Sequence, residues 1–282
     1  MKLSVITVNR NNREGLRKTL ESIAAQTVRP FECIVVDGAS TDGGAELLKT
    51  FAGIITWSVS EPDKGIYNAM NKGISHAGGE WCLFMNSGDC LASDRVLAAL
   101  EEIGPTADII AGNTLVLTDP PHRKTAPERI SLRFLFNESL CHQSVLIKTA
   151  LLRKYPYDES LKIVSDRKFF LQALVFDNAS YQAVPVEIAA YDVSGYSAQN
   201  RFASEQEWQS ALEQLIPPRI LLDYGQESKG ALYGASAYEK LFLEIGRRRY
   251  RGPVYRLVRR FLRLCSCFAK SANFVKSFPR NP

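Results

Sequence analysis

Three aspartates, each at the edge of an apolar run, are the residues of this 282-residue chain best placed to do chemistry. Asp37 follows Cys33-Ile34-Val35-Val36 and opens the small-residue turn Asp37-Gly38-Ala39-Ser40-Thr41-Asp42-Gly43. An ionised carboxylate only accepts hydrogen bonds, so Asp37 suits the hydroxyl or ring N–H donors of a nucleoside and would repel phosphate. Asp89 closes Asn86-Ser87-Gly88-Asp89, directly after Trp81-Cys82-Leu83-Phe84-Met85, and can hold a hard cation. Mg²⁺ takes one or two protein carboxylates and completes its shell with water and phosphate oxygens. Asp166 lies in Ser165-Asp166-Arg167, ahead of the helical Lys168-Phe169-Phe170-Leu171. There it can act as a general base on an attacking hydroxyl, and helix polarity would lower its pKa and keep it ionised. Each of the three also reads as an ordinary turn residue or helix cap. Both readings stand at this point.

The elements that must carry these residues are legible from periodicity. Residues 3–8 form a strand-like run that opens into Asn9-Arg10-Asn11-Asn12. Leu16, Thr19, Leu20 and Ile23 recur at helical spacing, closed by Thr27-Val28-Arg29-Pro30, so that residues 3–36 make a βαβ unit. Ala45, Leu47, Leu48 and Phe51 predict a second helix, residues 54–59 a strand, residues 66–74 a helix and residues 81–85 another strand. Strands alternating with helices over the first hundred residues predict an α/β fold with a mostly parallel sheet and helices on both faces. In such sheets ligands bind outside the carboxyl ends of the strands, where Asp37 and Asp89 fall. Past Gly104 the alternation weakens. Residues 109–117 predict one or two strands, 119–124 an exposed loop, 143–148 a buried strand, 165–176 a helix, and a short strand ends near Tyr191. Beyond Tyr196 the pattern is helical and increasingly basic.

Taken together, the ordered motifs resemble the family 2 glycosyltransferases, which have a nucleotide-binding GT-A fold. Val5-Ile6-Thr7-Val8-Asn9-Arg10-Asn11 resembles the family's opening strand, Val35-Val36-Asp37-Gly38-Ala39-Ser40-Thr41-Asp42 its nucleoside-binding motif, and Phe84-Met85-Asn86-Ser87-Gly88-Asp89 its metal motif. Glu61-Pro62-Asp63-Lys64-Gly65-Ile66-Tyr67-Asn68-Ala69-Met70-Asn71-Lys72-Gly73-Ile74 is similar to a stretch of bacterial cell-surface polysaccharide transferases and is the most specific signal in the chain. Cys141-His142-Gln143-Ser144 and Val164-Ser165-Asp166-Arg167 resemble later signatures of that subgroup, and the likeness runs over residues 1–197.

The resemblance implies an inverting transferase that moves a sugar from a nucleoside diphosphate sugar, UDP-linked, to a hydroxyl of a glycan or lipid-linked glycan. It implies Asp166 as base, Asp89 as ligand of Mg²⁺ or Mn²⁺, and donor contacts at Thr7, Asn9, Asp37, Asp63, Lys64, Asn71, Asn86 and His142. A lone His before a strand, such as His142, also reads as a structural hydrogen-bonding residue, and Lys64 as a solvated lysine. One departure matters: the family often carries more than one carboxylate in its metal motif, whereas Asn86 and Gly88 leave only Asp89, which predicts weak metal affinity.

Composition fits a globular protein, 45% hydrophobic and 23% charged, with no run approaching the roughly 18 apolar residues of a membrane span. The opening residues show no secretory apolar core, which predicts a cytoplasmic body. Six cysteines form no CxxC pair, and Cys33 and Cys82 sit in strand-like runs, so buried reduced thiols are expected. The net charge of +5 is concentrated near the C-terminus. After Arg247-Arg248-Arg249-Tyr250-Arg251, one helical face carries Val254, Leu257, Val258, Phe261, Leu262, Cys265 and Phe268, and the other Arg256, Arg259, Arg260 and Arg263. Such a helix suits an anionic membrane surface, which would hold the protein peripherally at the inner face of the cell membrane; docking on its own catalytic domain is the other reading. The apolar face argues against nucleic acid as the partner. The expected organisation is a transferase domain over 1–205, with a nucleotide-sugar half to about 104 and an acceptor half from 105, followed by a basic helical extension over 206–282. Two rival functions are a sugar nucleotidyltransferase, which would need a glycine-rich phosphate loop that Asn9-Arg10-Asn11-Asn12 lacks, and a catalytically silent membrane- or nucleic-acid-binding protein.

Overall fold

β1 (Leu3–Asn9) is buried along its whole length, which is why it reads as an apolar run broken only by Ser4 and Thr7: a central parallel strand is covered on both faces. The computed structural model describes residues 1–192 and 200–225. α1 (Arg13–Ala24) begins where the Asn12 side chain accepts the Gly15 N–H at 3.1 Å, a cap of about 1 kcal/mol. It turns Leu16, Leu20 and Ile23 into the core, where each fully buried side chain contributes about 1.5–3 kcal/mol over exposure. β2 (Glu32–Asp37), α2 (Gly44–Thr50), β3 (Trp57–Ser60), α3 (Ile66–His76) and β4 (Trp81–Phe84) complete the alternation expected from the sequence. The strand expected over 54–59 starts only at Trp57. The Ile54 and Ile55 N–H groups turn back onto the Phe51 carbonyl, and Thr56 hydrogen-bonds Cys33.

The second half is less regular. It contains β5 (Cys90–Leu91), α4 (Val96–Ile103), β6 (Ile109–Leu117), β7 (His122–Lys124), α5 (Leu132–Asn137), β8 (Val145–Lys148), α6 (Thr149–Lys154), α7 (Ser165–Leu171), β9 (Tyr181–Asp192) and α8 (Arg201–Leu215). Residues 122–124, expected as loop, pair with β6 as a short edge strand. The strand expected from Gln143 starts at Val145, because His142–Ser144 forms a 3₁₀ turn. The helix expected over 165–176 ends at Leu171 and continues as a π-turn, Gln172–Phe176. β9, expected as a short strand, runs for 12 residues.

All these strands join one sheet in the order β3-β2-β1-β4-β8-β6-β9-β5, with β7 beside β6. Pairing is parallel from β3 through β4, as expected for a GT-A-like fold, and antiparallel where β8 meets β4 and β6. The parallel register places Asn9 beside Asp37 and Asp37 beside Ser60. α3 lies close on the sheet because Gly73 has no side chain; a Cβ there would sit 2.5 Å from Cγ2 of Ile6. Cys33 and Cys82 are buried free thiols, as expected.

By contact density the chain divides into Met1–Pro217 and Pro218–Pro282. The boundary expected at 205 therefore falls inside α8, whose Trp208 is fully buried. Of the second unit, the described part is a helical turn, Pro218–Ile220, and a π-turn, Leu221–Gly225. The basic segment 247–268 lies outside the described residues. Among the described residues no helix is long and apolar enough to cross a membrane.

Candidate active site

Asp37 sits at the carboxyl end of β2, fully buried, with both oxygens occupied. Oδ1 accepts from Asn9 Nδ2 at 2.7 Å and Ser40 Oγ at 2.6 Å; Oδ2 accepts from the Ser40 N–H at 3.0 Å and Ser60 Oγ at 2.6 Å. Burial alone would raise this carboxyl, but the bonds from Ser40, Ser60 and Asn9 outweigh it and hold the group below its ordinary value. A carboxylate offers about four acceptor positions, and here protein donors fill them. Asp37 thus organises the loop 38–44 and the ends of β1 and β3. A nucleoside donor would reach its oxygens only by displacing one of these partners.

Asp63 is brought to the same place from α3's approach. Its carboxylate lies so close to Gly38 that a Cβ on that residue would be 2.9 Å from Oδ2, and the same Cβ would be 3.4 Å from the Arg10 side chain. The second oxygen of Asp63 pairs with Lys72 Nζ at 2.6 Å, and Lys72 also holds Glu61 at 2.7 Å. Thr7 is fully buried in β1, and its hydroxyl and the Asn9 Oδ1 are buried without a protein partner. Lys64 is exposed just before α3. Asn71 is turned the other way: it donates to the Tyr157 carbonyl at 2.8 Å and Glu159 at 2.9 Å, and accepts the Tyr157 N–H at 3.0 Å. Its amide pins the loop ahead of α7 to α3.

The antiparallel pairing of β4 with β8 brings the end of one and the beginning of the other to the same edge, and so joins Asn86 to His142. Asn86 Nδ2 lies 3.2 Å from His142 Nε2, His142 Nδ1 lies 3.1 Å from Asp166 Oδ2, and Tyr67 donates to Asp166 Oδ1 at 3.1 Å. The side chains of His142 and Asp166 keep 19% and 16% of their exposure, so the carboxylate is enclosed yet reachable. A carboxylate cannot donate, so Nδ1 carries a proton; Nε2 then accepts from Asn86 in the neutral ring. An imidazolium is accommodated if the Asn86 amide turns over and sets its buried, unpartnered Oδ1 on Nε2–H.

Burial would raise the Asp166 carboxyl, but the hydrogen bond and charge of His142, the Arg167 N–H and the Tyr67 hydroxyl together hold it below its ordinary value. Burial would lower His142, and Asp166, together with the charge of Asp89, more than reverses this. Tyr67, pushed far up by burial and by Asp166, stays a donor. Beneath the dyad an aromatic cluster fixes the geometry, with Tyr157 5.5 Å from Tyr67 and Phe84 and 5.8 Å from Phe169. Tyr67 lies within the 61–74 stretch, where the sequence alone gives it no role. Ser40 reaches Asp37 from within the turn that follows it, and Ser60 is set beside Asp37 only by the register of β2 with β3.

Asp89 ends the turn after β4. Its N–H bonds the Asn86 carbonyl at 2.9 Å, and its carbonyl accepts the Thr19 hydroxyl at 2.7 Å, which anchors the turn on α1. Among the described residues no group of three or more His, Cys, Asp or Glu could cage a metal. Asp89 supplies one carboxylate at this turn, 8% exposed, a ligand type suited to a hard cation that takes most of its ligands from water and phosphate.

Comparison with known proteins gives a consistent picture. The sequence model described as Glycosyl transferase family 2 matches residues 4–165. "Uncharacterized glycosyltransferase Rv1514c" of Mycobacterium tuberculosis (strain ATCC 25618 / H37Rv) is 34% identical over 204 residues, 68% of this chain and 76% of that protein. "PGL/p-HBAD biosynthesis glycosyltransferase Rv2957" of the same strain is 28% identical over 200 residues, 68% of this chain and 77% of that protein. Among solved structures, S. aureus TarS 1-349 in complex with UDP-GlcNAc superposes with a TM-score of 0.58 at 21% identity, over 71% of this chain and 61% of that one. The mannosyltransferase PcManGT from Pyrobaculum calidifontis, in complex with GDP-Man and Mn2+, gives 0.60 at 19% identity, over 82% and 70%.

Proposed function

The chain belongs to glycosyl transferase family 2 and is a glycosyltransferase, and from that premise we propose that it moves a sugar, with inversion, from a UDP-linked donor to a hydroxyl of a glycan or lipid-linked glycan in cell-surface polysaccharide synthesis. Family membership sets aside the nucleotidyltransferase and the catalytically silent binder. The observation that carries the proposal is Asp166, an ionised and still accessible carboxylate held at both oxygens, by Tyr67 and His142.

The acceptor hydroxyl gives its proton to Asp166 as its oxygen attacks the anomeric carbon. The bond from that carbon to the diphosphate breaks, and UDP departs with the bonding electrons. Tyr67 and His142 keep the carboxylate aimed at the acceptor. Around the donor, Asp63, Arg10 and the Asp37 loop form the nucleoside wall, with Thr7, Asn9, Lys64 and Asn86 toward the sugar and diphosphate. Mg²⁺ or Mn²⁺ held by Asp89, when bound, would offset the charge that develops on the diphosphate. Asn71 contributes by fixing the 157–159 loop.

A panel of UDP- and GDP-sugars, tested for binding and slow hydrolysis with and without Mn²⁺, checks the reading. Saturable binding and release of UDP from one of them is expected; pyrophosphate release from a nucleoside triphosphate, or binding confined to GDP-sugars, contradicts it. We further propose that the basic stretch 247–268 holds the enzyme peripherally on the inner face of an anionic membrane. Replacing Arg256, Arg259, Arg260 and Arg263 with Gln should then abolish salt-sensitive flotation with anionic vesicles, and unchanged flotation contradicts it.

A further inference from the structure

α8 lies beyond the stretch matched by the family model and across the domain boundary expected from sequence, yet it touches the segment that delivers Asp166 at two points. The first is Glu207. Its carboxylate accepts three successive backbone N–H groups at the entry to α7: Lys162 at 2.7 Å on Oε1, and Ile163 at 2.7 Å and Val164 at 3.0 Å on Oε2. Val164, the residue at the head of α7, has no capping side chain of its own, and the three amides that lead into the helix take their anionic partner from another helix, at Glu207. Bonds from backbone N–H to an ionised carboxylate are the strong kind, and three of them fix the path of the chain up to two residues before Asp166.

The second point is Trp208, fully buried, whose indole N–H donates to the Phe136 carbonyl at 3.0 Å. The same carbonyl accepts Arg167 Nη2 at 2.5 Å, and the Arg167 guanidinium carbon lies over the Trp208 ring, 4.0 Å from its centroid. Arg167 is the residue immediately after Asp166. The base is thus bracketed, with Glu207 holding the backbone before it and Trp208 the side chain after it, while Tyr67 and His142 hold its oxygens.

We propose that Glu207 and Trp208 are positioning residues for Asp166, so that α8 is part of the catalytic apparatus although neither residue touches substrate. The proposal rests on the reading of Asp166 as the base. Neither residue has a role in binding donor, so their loss should lower kcat and leave donor affinity in place. A small misplacement of a catalytic group costs on the order of 10²-fold.

The test is a double-mutant cycle in the full chain, read as UDP release from whichever of UDP-glucose, UDP-galactose and UDP-N-acetylglucosamine the wild type hydrolyses fastest. Glu207→Ala should reduce kcat roughly 10²-fold, with KM and the Kd for UDP changed less than about 3-fold. Combined with Asp166→Asn it should add almost nothing to the loss caused by Asp166→Asn alone, because the two act through one group. A full further loss in the double variant, a parallel fall in UDP affinity, or wild-type kcat overturns the proposal. If Asp166→Asn itself retains wild-type turnover, the base assignment fails instead. Glu207→Gln, which keeps the packing but presents one acceptor oxygen and a repelling amide N–H, guards against unfolding. In it the backbone amides of residues 162–168 should exchange hydrogen faster while those of β1 and β2 stay as in the wild type; unchanged exchange at 162–168 also overturns the proposal.

Discussion

His142 and Asp166 form a hydrogen-bonded pair, Nδ1 to Oδ2 at 3.1 Å, and each shifts the other's acidity in the direction that favours charge. The histidine for which the family resemblance implies a donor contact has both ring nitrogens engaged, one by Asp166 and the other by Asn86. Its role in the proposed reaction is to orient and tune the base.

Removing that partner should show in the pH profile. Burial by itself raises the Asp166 carboxyl, and His142 is the largest of the influences that oppose it. His142→Gln should therefore shift the acid limb of kcat/KM to higher pH, since the base must lose its proton to act. A limb that stays in place, or moves to lower pH, contradicts the pairing.

Asp89→Ala should weaken Mn²⁺-dependent binding of UDP by at least an order of magnitude, since hard cations need a carboxylate anchor. Binding in the absence of metal should be unchanged. Calorimetry of UDP with and without Mn²⁺ reads both, and equal Mn²⁺ enhancement in variant and wild type contradicts the assignment.

Asp158 offers a test of stability near the same loop. Lys168 Nζ at 2.6 Å and the Ser160 groups draw its carboxyl down from 3.8 to about 2, which favours the folded state near neutral pH by an amount that solvent screening keeps to about 1 kcal/mol or less. Because the folded pKa is depressed, this contribution is present above the unfolded value and is lost as pH falls through the folded one. Asp158→Asn should thus be less stable than the wild type in denaturant unfolding near neutral pH, with the gap closing as pH falls from about 4 toward 2. A gap independent of pH contradicts it.

Much of the nucleotide-sugar half was legible because local signals agree with the fold. Leu16, Leu20 and Ile23 mark one helix face, and continuous apolar runs mark buried parallel strands. The second half was less so. α4, α5 and α6 are short and were not recognised, and His122–Lys124 carries no apolar pattern, since it is an exposed edge strand defined only by its pairing with β6. The type of the site residues was visible, but their partners were not. That Asn9 and Ser60 close on Asp37, that Asn71 faces the Tyr157 loop, and that Glu207 reaches back to Val164 are consequences of register and packing between segments far apart in sequence.

The central claim is that Asp166 takes the proton from the acceptor, and Asp166→Asn tests it most directly. The amide keeps the size and the ability to accept from Tyr67 but cannot serve as the base. Turnover should fall by about 10²–10⁴-fold, the loss typical of a missing general base, while UDP affinity and thermal stability stay near wild type. A folded Asp166→Asn protein that releases UDP at the wild-type rate would contradict the account.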